Sequence, residues 1–280
     1  MLSFDDWARD AARELDRTNG SPWLEIGAAL VARDDHPELD ARGILTSLDA
    51  LSEPLAPLGL HRTSTPNAAA AIAEHLYGEL GFHGNEDDYG DPHNSHLNDV
   101  LERRTGLPIT LAIVLMGVAR RLGLTARGIS FPGHFLVRFE RNEGGPHVVD
   151  PFDRGRPLTM SELEARLRRA HPKQADLRLQ MRHLEPATVR AILVRVLANL
   201  KAAHLARGVP ARALLAATRT VSLSPGDPTA LRDRGLLQAR VGAPIGARAD
   251  LEAYLTLAPK APDAPQIRAL LGRLGQARAN

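Results

Sequence analysis

The stretch from Asp88 to Phe152 organises the chain, since it holds a helix N-terminus, a histidine opening one strand and an aspartate closing the next. The stretch opens as D-Y-G-D-P-H-N-S-H-L-N-D-V-L-E-R-R-T-G-L-P-I-T-L, continues through an apolar run, and closes with F-P-G-H-F and V-V-D-P-F. Leu111, Leu115, Val118 and Leu122 recur at spacings of four, three and four, so a helix starts with Pro108 in its first turn and ends at Gly123. Phe135, Val137 and Phe139 then alternate with His134, Leu136 and Arg138, which is strand spacing. Strands are expected over 125–131, 134–140 and 147–152, with a turn at Asn142 to Gly145, and the fold class is therefore α+β.

Helical patterning dominates the rest. Phe4, Trp7, Ala8, Ala11 and Leu15 predict a first helix ending near Asn19-Gly20. Ser21-Pro22 opens a second through Val31, Leu39 to Leu51 gives a third, and Pro66 to Leu80 a fourth closed by Gly81. Residues 81–94 are rich in turn formers and read as a functional loop. Asn94 or Ser95 is placed to cap the helix carrying Leu97, Val100 and Leu101. Thr159-Met160-Ser161-Glu162 has the form of a capping box, with Leu163 and Leu167 facing inward. Beyond Thr188 the pattern is paired helices: Pro225 and Pro259 are 34 residues apart, as are Ala213 and Ala247, the period of a tetratricopeptide repeat. The expected division is an N-terminal helical region over 1–85 packed on a core over 86–170, with a helical repeat region over 186–280.

Composition narrows the chemistry. The 280-residue sequence contains no cysteine, which removes disulfides, thiolate metal sites and any thiol nucleophile. Residues 1–159 carry 15 basic against 24 acidic side chains and residues 160–280 carry 20 against 9, so the two parts are oppositely charged. A basic helical tail could meet nucleic acid or an acidic protein, but it lacks the interleaved aromatics of a nucleic-acid reader, which favours a protein partner. The apolar run 109–119 is too short to span a bilayer, and the acidic start M-L-S-F-D-D-W does not resemble a signal peptide. A cytoplasmic protein without cofactor, partnered through a groove or its helical tail and not with a membrane, is expected.

His134 and Asp150 have the residue types and order of the last two members of an acyl-transfer triad. Their separation is even, so they share a sheet face only if the loop of their hairpin holds an odd number of residues, three or five being the expected lengths. Candidate nucleophiles are the hydroxyls of Thr110 and Ser95, which would make an acyl transferase or hydrolase with His134 as base and Asp150 as its orienter. Thr110 is only a helix residue if its hydroxyl bonds back within its own first turn. A third arrangement is a metal site of His93, His96 and His134 with Asp91 or Asp150, since imidazole and carboxylate suit zinc. The reading adopted has no metal ligand.

The D-Y-G-D-P-H-N-S-H-L-N-D-V-L-E-R-R-T-G-L-P-I-T-L and F-P-G-H-F-L-V-R-F blocks resemble the SirB-like bacterial branch of the transglutaminase-like superfamily, from about residue 22 to the C-terminus. That resemblance implies a papain-like core with a small antiparallel sheet, a nucleophile at a helix N-terminus, and a tetratricopeptide-type tail. His134 and Asp150 match the histidine and aspartate of such a core. Pro108 falls where the cysteine is expected, with Thr110 two residues on. Tyr89, Asn94, Ser95, Asn98, Pro132, Gly133 and Phe152 are expected to line the groove or support it. The chain is thus expected to be a pseudoenzyme with a regulatory or adaptor role.

Overall fold

The protein is described by a computed structural model over residues 3–16, 22–140, 145–174 and 176–276. Asn19-Gly20, Ser21 and residues 142–144, at which a helix end, a cap and a turn were expected, lie outside the described residues. The chain forms two compact units, residues 10–196 and residues 1–9 with 197–280. Residues 3–9 thus fall with the C-terminal helices and not with the N-terminal helical region expected over 1–85.

The larger unit begins with helices. Helix α1 (Phe4–Asp10) reaches it only at its last residue, and residues 11–16 continue as turns rather than as the helix expected through Leu15. Helix α2 (Pro22–Ala32) starts on its proline. Helix α3 (Ala41–Ser52) is capped by Asp40, whose carboxylate accepts from the Arg42 N–H. Helix α4 (Thr65–Ala73) runs into a π-helical turn over Glu74–Glu79 that ends at Gly81 in the left-handed region, φ +74°. Strand β1 (His83–Gly84) and strand β2 (Thr105–Gly106) form a short parallel pair on either side of helix α5 (Leu97–Arg103).

Helix α6 (Pro108–Arg121) is buried along Pro108 to Ala119, as its nearly all-round apolar sequence requires. Its last turn places Arg120 and Arg121 on the buried carboxylate of Glu25 in α2, at 3.1 and 3.0 Å. These arginines satisfy a charge that burial would otherwise penalise.

Beyond α6 lie strands β3 (Ala126–Ile129), β4 (Leu136–Phe139), β5 (His147–Asp150) and β6 (Arg156–Pro157), an antiparallel sheet in that order. The first three are shorter than expected and the fourth was not foreseen, because Arg156-Pro157 carries no alternation. Helix α7 (Met160–Ala170) begins with the expected box: the Thr159 N–H donates to Glu162 at 2.8 Å, and the Glu162 N–H to the Thr159 hydroxyl at 3.3 Å. Its Leu163 and Leu167 pack with Ile129, Leu136 and Val148 of the sheet.

The smaller unit contains the greater part of α8 (Val189–Ala206), which starts in the larger one, together with α9 (Pro210–Leu223), α10 (Pro228–Arg240), α11 (Pro244–Leu257) and α12 (Ala264–Gln276). The 34-residue period is visible in the backbone. Gly208 and Gly242 both take φ near +70 to +80°, and Pro210 and Pro244 both begin helices. Ala213 and Ala247 are fully buried. The first residues of the chain belong to this unit: Asp5 accepts from Ser222, and Arg219 stacks over the Phe4 ring at 5.1 Å. No described helix is long and apolar enough to cross a membrane.

Candidate functional site

The sheet and its incoming turn bring His134 to Asp150. Phe131-Pro132-Gly133-His134 is a β-turn, closed by the His134 N–H on the Phe131 carbonyl at 3.0 Å, with Gly133 at φ +72°. His134 therefore sits in the turn before β4, not in the strand as expected. Phe139 pairs with His147, so the connection spans 140–146, an odd number of residues although longer than expected. The turn, and not strand parity, delivers the imidazole: His134 Nε2 lies 2.8 Å from Asp150 Oδ1.

Asp150 is held from every side. Its Oδ1 accepts the Phe152 N–H at 3.0 Å, and its Oδ2 accepts from Arg166 of α7 at 2.7 Å. Burial favours the neutral acid, but the His134 hydrogen bond and the charges of His134 and Arg166 outweigh it, and the carboxyl titrates below its usual range. Burial, with the Asp150 charge second, pushes the Tyr77 phenol well above its ordinary value. The Phe152 ring meets His134 edge-on at 6.2 Å and Tyr89 at the same distance, and Tyr89 is exposed. Phe152 also borders a polar cleft lined by His83, Asn85, Asp87 and Arg154. Its ring lies so close to Gly84 that a Cβ there would meet it at 2.3 Å.

Thr110 makes its hydrogen bonds to backbone. It is buried at the third position of α6, where its hydroxyl donates toward the carbonyls of Asn94 (2.7 Å) and Leu107 (3.1 Å) and accepts the Leu107 N–H (3.0 Å). That is the bonding of a helix-start residue, and it turns the hydroxyl proton toward backbone and away from a general base. Asn94 and Ser95 do not cap α5, whose cap position is His96. They lie in a 3-10 turn over Pro92–Ser95 that is itself capped by Asp91, because Pro92 restarts the backbone two residues earlier than expected. Both are buried, and Asn94 ties the loop together by donating to the Asp88 carbonyl (2.8 Å) and accepting from Asn85 (3.0 Å).

The histidine and carboxylate grouping weighed as a third arrangement is not the one formed. Asp91 is paired with Arg103 at 2.8 Å and Asp150 with His134 and Arg166, so these carboxylates are engaged elsewhere. His93 and His96 instead join His36, from the turn after α2, and Asp99 of α5, with one ligand atom from each residue inside a 4.8 Å group. The His93-x-x-His96-x-x-Asp99 spacing was a signal available in the sequence. His36 was not, since it arrives from 63 residues away. Arg166 was likewise missed, because α7 carries several arginines and nothing local marks the one that turns inward.

Residues 42–198 match the model of the Transglutaminase-like superfamily, and residues 200–272 match that of the Tetratricopeptide repeat. A "UPF0162 protein" of Xylella fastidiosa is 42% identical over 252 residues, covering 90% of this chain and 89% of that one. One from Pseudomonas aeruginosa is 33% identical over 256 residues, with 91% of each chain covered. The mouse "F-box only protein 21" is 38% identical over 101 residues, 34% of this chain and 16% of that protein.

Proposed function

The chain belongs to the transglutaminase-like superfamily, and from that premise we propose that it is a protein-binding regulatory or adaptor module whose core no longer performs acyl transfer. The observation that carries this reading is the α6 N-terminus. A thiol there would be activated by the helix dipole and a nearby imidazole, but the sequence has no cysteine, Pro108 occupies the first position, and the Thr110 hydroxyl is committed to Asn94 and Leu107. His134, Asp150 and Arg166 then act as a tie between the β-turn, β5 and α7. Phe152, Tyr89 and the adjoining polar cleft are the groove's contact surface.

The helical repeats supply the second binding surface, since stacked helix pairs present extended faces for peptide or protein recognition. Ile245, at the start of α11, is 66% exposed and so contributes little to packing. The full-length protein used as bait should retain its cellular partner, and Ile245→Asp should weaken that retention without changing the thermal midpoint. Turnover of an amide or glutamine donor by the purified chain, with no partner retained, would rule the reading out.

A further inference from the structure

We propose that His36, His93, His96 and Asp99 form a binding site for a divalent first-row transition metal ion of the zinc class, which fastens the turn after α2 to the start of α5. The four residues converge on one point. His93 Nδ1 is 2.6 Å from Asp99 Oδ2, His36 Nε2 is 3.2 Å from it, and His96 Nδ1 is 3.4 Å from it. With metal–ligand bonds of roughly 2.0 to 2.2 Å, the edge of a tetrahedral site is about 3.3 to 3.6 Å, so the 3.2 and 3.4 Å separations are near what a central ion needs, and His93, at 2.6 Å, must draw back from Asp99 to admit one. The rings also face different ways, His36 and His93 each standing edge-on to His96 with centroids 5.6 and 6.2 Å away.

Two further observations point to an ion rather than to a plain hydrogen-bond network. His96 is 2% exposed, and its Nδ1, aimed at Asp99, is a buried nitrogen without a hydrogen-bond partner. An imidazole nitrogen in that position is costly unless something accepts its lone pair or its proton. Its other nitrogen, Nε2, lies 3.2 Å from the Asp35 carboxylate. A carboxylate behind a histidine fixes the tautomer and leaves the opposite nitrogen as the ligand, the arrangement that supports histidines at zinc sites. Asp99 is prepared in the same way: Asn98 donates to its Oδ1 at 2.8 Å, leaving Oδ2 for the centre. One carboxylate oxygen cannot serve three imidazole protons well, whereas an ion among the four atoms satisfies all of them.

Three imidazoles and one carboxylate oxygen make a complete four-ligand set with no position kept for substrate, so the role is structural. The site is separate from His134 and Asp150, and it does not depend on the loss of acyl-transfer chemistry.

The test is calorimetric titration of tag-free, chelator-treated full-length protein with Zn²⁺ at neutral pH. One ion per chain is expected. His93→Ala removes a half-exposed side chain that folding does not require, and His36→Ala a partly exposed one. Each should weaken binding by more than about 100-fold, Asp35→Asn by about 10- to 100-fold, and His134→Ala not at all. Zn²⁺ should raise the thermal midpoint of the wild type and not that of His93→Ala, and Co²⁺ should give the intense visible band of a tetrahedral centre. Absence of saturable binding, equal affinity in the wild type and the His36 and His93 variants, or a weak octahedral cobalt spectrum would each overturn the proposal.

Discussion

On the proposed reading, His134 and Asp150 tie the β-turn to β5. Removing the His134 side chain leaves Asp150 with Arg166 but forfeits a charge-assisted hydrogen bond and the edge contact with Phe152. His134→Ala is expected to cost about 1 to 3 kcal/mol, read from chemical denaturation. The pH dependence follows from Asp150. Its carboxyl titrates below its ordinary value, so between that value, about 3.9, and its native one the unfolded chain binds the proton more readily. The stabilisation is therefore full above about pH 4 to 5 and is lost as pH falls through the native-state value. His134→Ala should flatten that acid limb, and an unchanged limb would show that the pair contributes nothing. The even spacing of the two residues was legible in the sequence, but His134 reaches Asp150 from a turn outside the strand, and Arg166 depends on where α7 docks.

Among the elements, those governed by local chemistry were the readable ones. Pro108 and Gly123 delimit α6, Thr159 and Glu162 start α7, and the 34-residue period sets the tail, because each rests on contacts within a few residues or on a repeat. The fourth strand and the partner of Arg120 and Arg121 were not readable, since each is decided by packing between distant segments, whereas the turn at Pro92 is set locally by the proline and its Asp91 cap. Gly235 illustrates the tail's close contacts. A Cβ there would lie 2.8 Å from Leu251 Cγ and 3.1 Å from Asp250 Cβ, and Asp250 is held by two hydrogen bonds of 2.6 Å from Arg234. Gly235→Val should therefore force α10 from α11 and destabilise the protein by about 1 to 3 kcal/mol, as overpacked sites do. A neutral or stabilised variant, measured in the same denaturation experiment, would show that the contact is loose.

For the whole molecule, the account joins a transglutaminase-like unit to tetratricopeptide-type helices and assigns both to binding. What made the two families legible was the order of several motifs along the chain and the 34-residue period of its tail. What stayed hidden was which histidines meet, because the His36 cluster and the His134 pair draw on similar residues and only the fold separates them. The central claim is that the core keeps its geometry without acyl-transfer chemistry. It is tested most directly by treating the folded full-length protein with a hydroxyl-directed acylating probe and mapping adducts by mass spectrometry, in the wild type and in His134→Ala. The account predicts no adduct on Thr110 or Ser95 in either protein. An adduct on one of these hydroxyls that disappears in His134→Ala would contradict it.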